Sequence, residues 1–358
     1  MQRPTLSLAG LFLALSTAGA LAKPPQYQII DLGVVDGTTA SQAFGESRDG
    51  MTAVGRALGN KGNPAYYWTA STGIVALPNL AGRQYAAANA VNNAGTVVGT
   101  STTTVFGSGA LPVMWVDGAV TQFPLPRGQT VGRVMAINDM GVAAGSIGGD
   151  TAEFAALFTS DATTVITATT ANGSYMSYAD GINDAGLVAG SGIDPNNAAL
   201  NVGLVYDSHT GVLTDIGALP GANGALAFGI SNGGYVVGSS MLYQGSGMPF
   251  IWSAKKGMVA IPLPLKTDEA IAYGVNDRGW AVGNGGGLYS VPFLYVRGKT
   301  YRLADLLPAG SGWDLLHNTS SSAQAITNRG TIVGTAVYLG QTHGYKMMLV
   351  KGNEAGRP

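Results

Sequence analysis

Ala88-Asn89-Ala90-Val91-Asn92, with Gly95 and then Val97-Val98-Gly99 behind it, is matched further on by Ala179-Asp180-Gly181-Ile182-Asn183, Gly186 and Val188-Ala189-Gly190. The shared pattern is small, variable, small, apolar, then Asn, Ser or Thr, two variable residues, a glycine, a few β-formers and a second glycine. Working outward from these two copies, the second glycine recurs as Gly55, Gly99, Gly145, Gly190, Gly238, Gly283 and Gly334, at steps of 44, 46, 45, 48, 45 and 51 residues. The central small column holds Gly45, Ala90, Ala136, Gly181, Gly229, Gly274 and Ala325. Self-similarity at this period marks solenoids and propellers.

After each second glycine comes an aromatic or apolar stretch: Tyr66-Tyr67-Trp68, Val113-Met114-Trp115, Ala156-Leu157-Phe158, Leu204-Val205-Tyr206, Phe250-Ile251-Trp252, Phe293-Leu294-Tyr295 and Tyr345-Lys346-Met347. Turns such as Asp117-Gly118 and Arg297-Gly298 follow, then a further β-rich run. Each repeat reads as four short strands with Gly, Asn and Asp at the corners. Four-stranded antiparallel units of this period are propeller blades. The expected fold is therefore all-β, a seven-bladed β-propeller.

Period two along a strand places the two small positions on one face, with the variable and apolar positions on the other. The first strand is expected innermost, where only Ala or Gly leaves room for the neighbouring blade. The Asn-x-x-Gly element makes the hairpin corner, its glycine at positive φ. Trp68, Trp115 and Trp252 should wedge between blades. The last repeat, Ser322 to Val350, supplies three strands, and Tyr27-Gln28-Ile29-Ile30-Asp31-Leu32-Gly33 resembles the fourth strands elsewhere. The N-terminal strand is expected to close the seventh blade, removing free sheet edges.

Residues 1–22 carry Arg3, an apolar run from Leu6 to Leu15, and Ala20-Leu21-Ala22 before Lys23. That is the layout of a secretory signal peptide, and no later run approaches the length of a membrane-spanning helix. The expected organisation is a signal peptide over 1–22, one propeller domain over 23–350 and a polar tail over 351–358. A secreted monomer is expected, periplasmic or extracellular. Charged residues make up 11% of the chain, with 19 Lys and Arg against 20 Asp and Glu. This balance gives no electrostatic footprint for nucleic acid. Cysteine is absent, which excludes thiolate zinc sites and thiol nucleophiles.

The repeat core, followed by a short aromatic strand and an Asp-Leu-Gly-like ending, resembles the bacterial extracellular HAF repeats, named for a His-Ala-Phe motif at the third strand. The matching triplets run from Pro64-Ala65-Tyr66 through Met248-Pro249-Phe250 to His343-Gly344-Tyr345, and only the last keeps the histidine. The resemblance covers nearly the whole chain beyond residue 22. It implies an extracellular propeller without an established activity, and it transfers no catalytic residue.

Chemistry must then lie in departures from the repeat. His209, His317 and His343 are the only histidines, none with metal-ligand spacing, so no metal or other cofactor and no catalytic residue is assigned. Asp139, Asp184 and Asp277 read as corner formers, and Gly285-Gly286-Gly287 lacks the strand-to-helix context of a phosphate loop. Glu46 occupies a column filled elsewhere by Val91, Ile137, Ile182, Ile230, Val275 and Ile326. A buried carboxylate is costly unless paired, so Glu46 is expected to be paired or to reach solvent, the central channel included. The insertion from Pro308 to Ser322 carries Trp313, Asp314 and His317. It should lie over the face where propellers bind, beside loops carrying Arg83 and Tyr85, Arg127 and Arg133, Tyr178, and Lys266 to Glu269. Tyrosine, tryptophan and arginine suit sugars or peptides. These features favour a binding or scaffold protein for an extracellular glycan or polypeptide. The alternative is a polysaccharide lyase or glycoside hydrolase on the same scaffold.

Overall fold

The computed structural model describes residues 23–104, 107–148, 153–242 and 246–350. The expected signal peptide and polar tail lie outside them. Blade 1 comprises Ala40–Glu46, Thr52–Leu58, Ala65–Thr69 and Gly73–Ala76, paired antiparallel in that order. Blades 2 to 6 repeat the scheme from inner strands Tyr85–Val91, Val131–Ile137, Tyr175–Ile182, Ala222–Ile230 and Ala270–Val275. Blade 7 is Ser322–Ile326, Ile332–Tyr338 and Gln341–Leu349, with Tyr27–Asp31 paired antiparallel to Leu349–Tyr345 as its outer strand. The only helical element among the described residues is a single 3-10 turn, Leu303–Leu306.

The inner strands depart from simple alternation. In every blade the register slips between the two small positions, as at Ala43/Gly45, Ala179/Gly181 and Ala323/Ala325. Each inner strand thus carries a bulge at the variable residue, which re-aims side chains on either side of it. The apolar column therefore does not share a face with the variable residue as strict alternation required. Val91, Ile182 and Ile326 are buried between blades, while Phe44, Asn89, Met135, Asp180, Phe228, Tyr273 and Gln324 form the bulge positions around the axis.

The bulge explains two columns. A Cβ on Gly99, Gly145, Gly238 or Gly283 would lie 1.9 Å from the carbonyl oxygen of Ala87, Arg133, Leu226 or Ile271 on the blade's own inner strand. A Cβ on Gly45, Gly181 or Gly229 would come within 2.5, 2.8 and 2.4 Å of the next blade's Asn89, Phe228 or Tyr273 carbonyl. Corner glycines behave differently. Gly95 and Gly234 have open space but φ of 83° and 75°, a conformation L side chains adopt at a cost.

The core is distributed rather than central. Seven buried clusters each join two neighbouring blades, for example Val54 and Ala65 of blade 1 with Ala88 and Trp115 of blade 2. Trp115 is fully enclosed and its indole N–H donates to the Pro78 carbonyl at 2.8 Å. Each such large side chain contributes about 1.5–3 kcal/mol by leaving water.

Candidate functional site

Strand direction sorts the loops. Outer-to-inner connections and second-to-third hairpins share one rim, the upper, while the Asn-x-x-Gly corners share the lower. On the lower rim, each corner from blade 1 to blade 6 hands a hydrogen bond to the next blade. The Asn93 amide N–H donates to Asp139, Asp139 to Asp184, Asp184 to Asn232, and Asp277 to Asn328, at 2.8–2.9 Å. Beneath them Asn92, Asn138, Asn183 and Asn276 donate from their side chains to the next corner's carbonyl. The Asp139, Asp184 and Asp277 carboxylates, expected as corner formers, thus tie blades together, while the turns are closed by the preceding Asn138, Asn183 and Asn276, whose Oδ1 atoms accept the amides of Val142, Leu187 and Trp280. Arg48, from blade 1, crosses the axis to the Ile182 carbonyl at 3.2 Å and comes within 4.0 Å of Asp184 in blade 4.

Blade 7 meets blade 1 through different chemistry. Glu46, expected to be paired or to face solvent, is paired and closed off from the channel. Its side chain is 0% exposed, 2.6 Å from Lys346 and hydrogen-bonded by the Thr331 hydroxyl at 2.9 Å. Burial pushes its carboxyl above the usual range, against the pull of Lys346. Glu46 is therefore no ligand contact. Lys346 also donates to the Gly50 carbonyl and sits 5.7 Å from the Trp68 ring centre. On the same strand as Lys346, His343 Nδ1 lies 2.8 Å from Asp31, which fastens the third strand to the N-terminal one. The Lys346 signal was available in sequence, since its column otherwise holds Tyr67, Met114, Leu157, Val205, Ile251 and Leu294.

The upper rim gathers the remaining candidates in two groups. At blades 3 and 4, Arg133 and Tyr178 are exposed on adjacent inner strands, with Glu153 beside them. A hydrogen bond to Glu153, aided by burial, pushes the Tyr178 hydroxyl up to about 12. Asp180, at the bulge below, is pushed up to about 7 by burial. Sequence reading missed Glu153 and Asp180, because the bulge that aims Asp180 at the axis is not visible as a pattern.

At blades 5 to 7 an open pocket of 390 Å³ lies between the inner strands and the rim loops, lined by Glu269, Tyr273, Asn284, Tyr289 and Thr319 among others. Gly285 and Gly286 earn their place here. A Cβ on either would lie 2.5 Å from the Thr267 or Glu269 side chain. The insertion meets this pocket through Thr319, and His317 stands edge-on to Tyr289 at 6.2 Å.

Other expected contacts serve structure. Trp313 and Asp314 form a short strand against Tyr338 and Val337. Trp313 stacks on Tyr338 at 4.7 Å and meets Tyr345 edge-on, so its ring is packed in the blade. Partial burial of Asp314 favours its neutral form, but the Leu316 and His317 amides and the His317 ring outweigh this and hold it below the usual range. Arg83 donates to the carbonyls of Ser101 and Gly109, clasping a blade 2 loop. Tyr85 is a half-buried strand residue opposite Thr102. His317, with a side chain 76% exposed, remains open. Among the described residues no three His, Asp or Glu side chains converge as a metal site, and no helix is long and apolar enough to cross a membrane.

No family model matches the chain and no curated protein is similar to it. Solved structures are. An oligogalacturonate lyase of Vibrio parahaemolyticus superposes with a TM-score of 0.54 at 12% identity, over 92% of this chain and 95% of that one. The fold is a β-propeller. A virginiamycin B lyase of Staphylococcus aureus matches at 0.52 and 9%, over 91% and 99% of the two chains. YCF48 bound to a D1 peptide matches at 0.51 and 10%, over 95% and 99%. Likeness at this identity speaks for architecture, which serves unrelated functions.

Proposed function

We propose that this propeller is a secreted binding or scaffold protein of the HAF-repeat kind, engaging an extracellular glycan or polypeptide on its upper rim. The observation that carries the reading is the division of labour between the rims. The polar side chains of the lower-rim Asn-x-x-Gly corners are engaged from blade to blade across six interfaces, whereas the upper rim presents Arg133 and Tyr178 to solvent at blades 3 and 4, and Tyr289 and His317 at the open pocket of blades 5 to 7. Aromatic and forked cationic groups of this sort supply stacking and directional hydrogen bonds.

An enzyme would need a histidine held by a carboxylate and able to reach substrate. His343 has the carboxylate, Asp31, but its Nε2 is enclosed and unpartnered. His317 is open, but its Asp314 contact is a long 3.3 Å on an exposed loop. Binding without turnover accounts for both. The test is a screen of purified chain against polysaccharides and peptides, recording both retention and release of unsaturated or reducing ends. Retention without product is expected, and product would replace this reading with the lyase or hydrolase. Secretion is read separately, by N-terminal sequencing of protein recovered outside the cytoplasm, where Lys23 is the expected first residue.

A further inference from the structure

The pocket at blades 5 to 7 allows the ligand's chemistry to be narrowed, on the reading of the upper rim as a binding face. Its lining contains one carboxylate, Glu269, and no lysine or arginine. Several of its polar atoms are already engaged. The Ser239 hydroxyl donates to the Ala270 carbonyl at 3.3 Å, Ser290 to Ser321 at 2.6 Å, and the Asn284 Oδ1 accepts the Ala323 amide at 2.9 Å. Left without a partner among the described residues are the Glu269 carboxylate, the Asn284 Nδ2 amide and the hydroxyls of Tyr273 and Tyr289. Glu269 is also fixed in place, its backbone carbonyl accepting the Gly286 amide at 2.9 Å and its side chain lying where a Gly286 side chain would be.

We propose that this pocket is a carbohydrate subsite for an uncharged sugar ring. The free groups are an acceptor, a donor and two phenols that can do either. A sugar hydroxyl both donates and accepts, so neighbouring hydroxyls can satisfy carboxylate and amide together. Tyr273 and Tyr289 supply the apolar surface for the ring's C–H face. A uronate would bring a second negative charge against Glu269 in a half-enclosed site with no cation to balance it. An ammonium group would suit Glu269 but has no acceptor for the Asn284 amide. The three-glycine run then has a reason of its own, since it opens the space in which Glu269 stands at the lip.

The experiment is affinity electrophoresis and calorimetry on the full chain. Xyloglucan, galactomannan and mixed-linkage β-glucan serve as uncharged probes, polygalacturonate and alginate as acidic ones, and a free-amine tetrapeptide as the cationic one. Retention by at least one uncharged glycan and by neither acidic one is expected. Glu269→Gln and Tyr289→Ala should each weaken that binding about tenfold, the loss of one hydrogen bond to a charged group or one stacking face. Met140→Ala, exposed on the lower rim, should leave it unchanged, with circular dichroism confirming that all three variants fold. Retention only of acidic glycans or only of the peptide overturns the subsite, as does uncharged-glycan binding indifferent to both variants, while the binding function stands. A chain that retains no probe overturns both.

Discussion

The seam between blades 7 and 1 and the other six interfaces solve one packing problem in two ways. At the six, an apolar residue such as Val91 or Ile182 fills the space between sheets, and the lower corners exchange hydrogen bonds. At the seam, both apolar columns are replaced, one by Glu46 and the other by Lys346, and the pair is sealed from water. The corner bridge fails there too, because Arg48 stands where the other blades have Asn or Asp, and a guanidinium cannot accept the Asn328 amide. Covalently, blade 7's outer strand Tyr27–Asp31 runs on into blade 1's inner strand Ala40–Glu46, and the chain's break lies inside blade 7, so the lock ties the N-terminal segment, through Glu46, to the C-terminal strand that carries Lys346. A polar lock that tolerates only its own partner suits that position, since a mismatched blade would leave a charge buried.

The sharpest way to break the comparison is to remove half of the lock. Lys346→Ala leaves Glu46 buried without its cation and should destabilise the fold by about 3–5 kcal/mol, measured by urea unfolding. The double variant Glu46→Val with Lys346→Leu writes the ordinary columns into the seam, and should recover most of that loss or exceed wild type. A double variant as unstable as the single would show that the seam differs in shape and not only in chemistry.

Next in size is the bulge, which all seven blades share. Gly238→Ala would place a Cβ 1.9 Å from the Leu226 carbonyl and should cost about 1–3 kcal/mol through forced backbone movement. Gly234→Ala, four residues earlier in open space at φ 75°, should cost about 1 kcal/mol by strain alone. The same thermal-unfolding series reads both, and equal losses would mean that the bulge carbonyl yields easily.

These two glycines mark how far the sequence could be read. Blade number, strand count and the positive-φ corners were legible because they repeat, and repetition averages away local accident. The bulge was not, since Ala-x-Ala looks like plain alternation, and only the clash at the second glycine betrays the displaced carbonyl. Inter-blade bonds from Asp139 and Asp277 were hidden for a similar reason. In sequence a corner aspartate reads as serving its own turn, and the neighbouring corner lies about 45 residues away. Of the candidate site, His317 was singled out in the insertion, and Arg133 and Tyr178 were read as loop residues though they stand exposed on inner strands, whereas Trp313 and Arg83 are engaged in packing that a loop sequence cannot reveal.

A smaller effect tests the lower-rim chain. Asp277 accepts from the Gly233 amide on one side and the Asn328 side chain on the other. Asp277→Ala should cost about 1.5 kcal/mol, the scale of exposed bonds to a charged acceptor, seen as a lower urea midpoint with an unchanged slope. Loss of slope would instead signal that blades 5 to 7 open separately.

The smallest expected change lies at Arg48, where the two regions can be made alike. Arg48→Ala removes the reach across the axis to Ile182 and Asp184 without supplying an acceptor. Arg48→Asn removes the same reach but places, beside the Asn328 amide, the kind of acceptor that Asn93 offers to Asp49 at 2.9 Å. The two variants therefore differ by one neutral hydrogen bond, and Arg48→Asn should be the more stable by about 0.5–1 kcal/mol. That difference, taken from paired urea curves, isolates the missing corner bridge from the cross-channel contact. Equal stability would mean that blade 1's corner, lengthened by one residue between Gly50 and Gly55, stands out of register with blade 7. In that case the Glu46–Lys346 lock replaces the bridge because the backbone forbids it, and not because Arg48 happens to lack an acceptor.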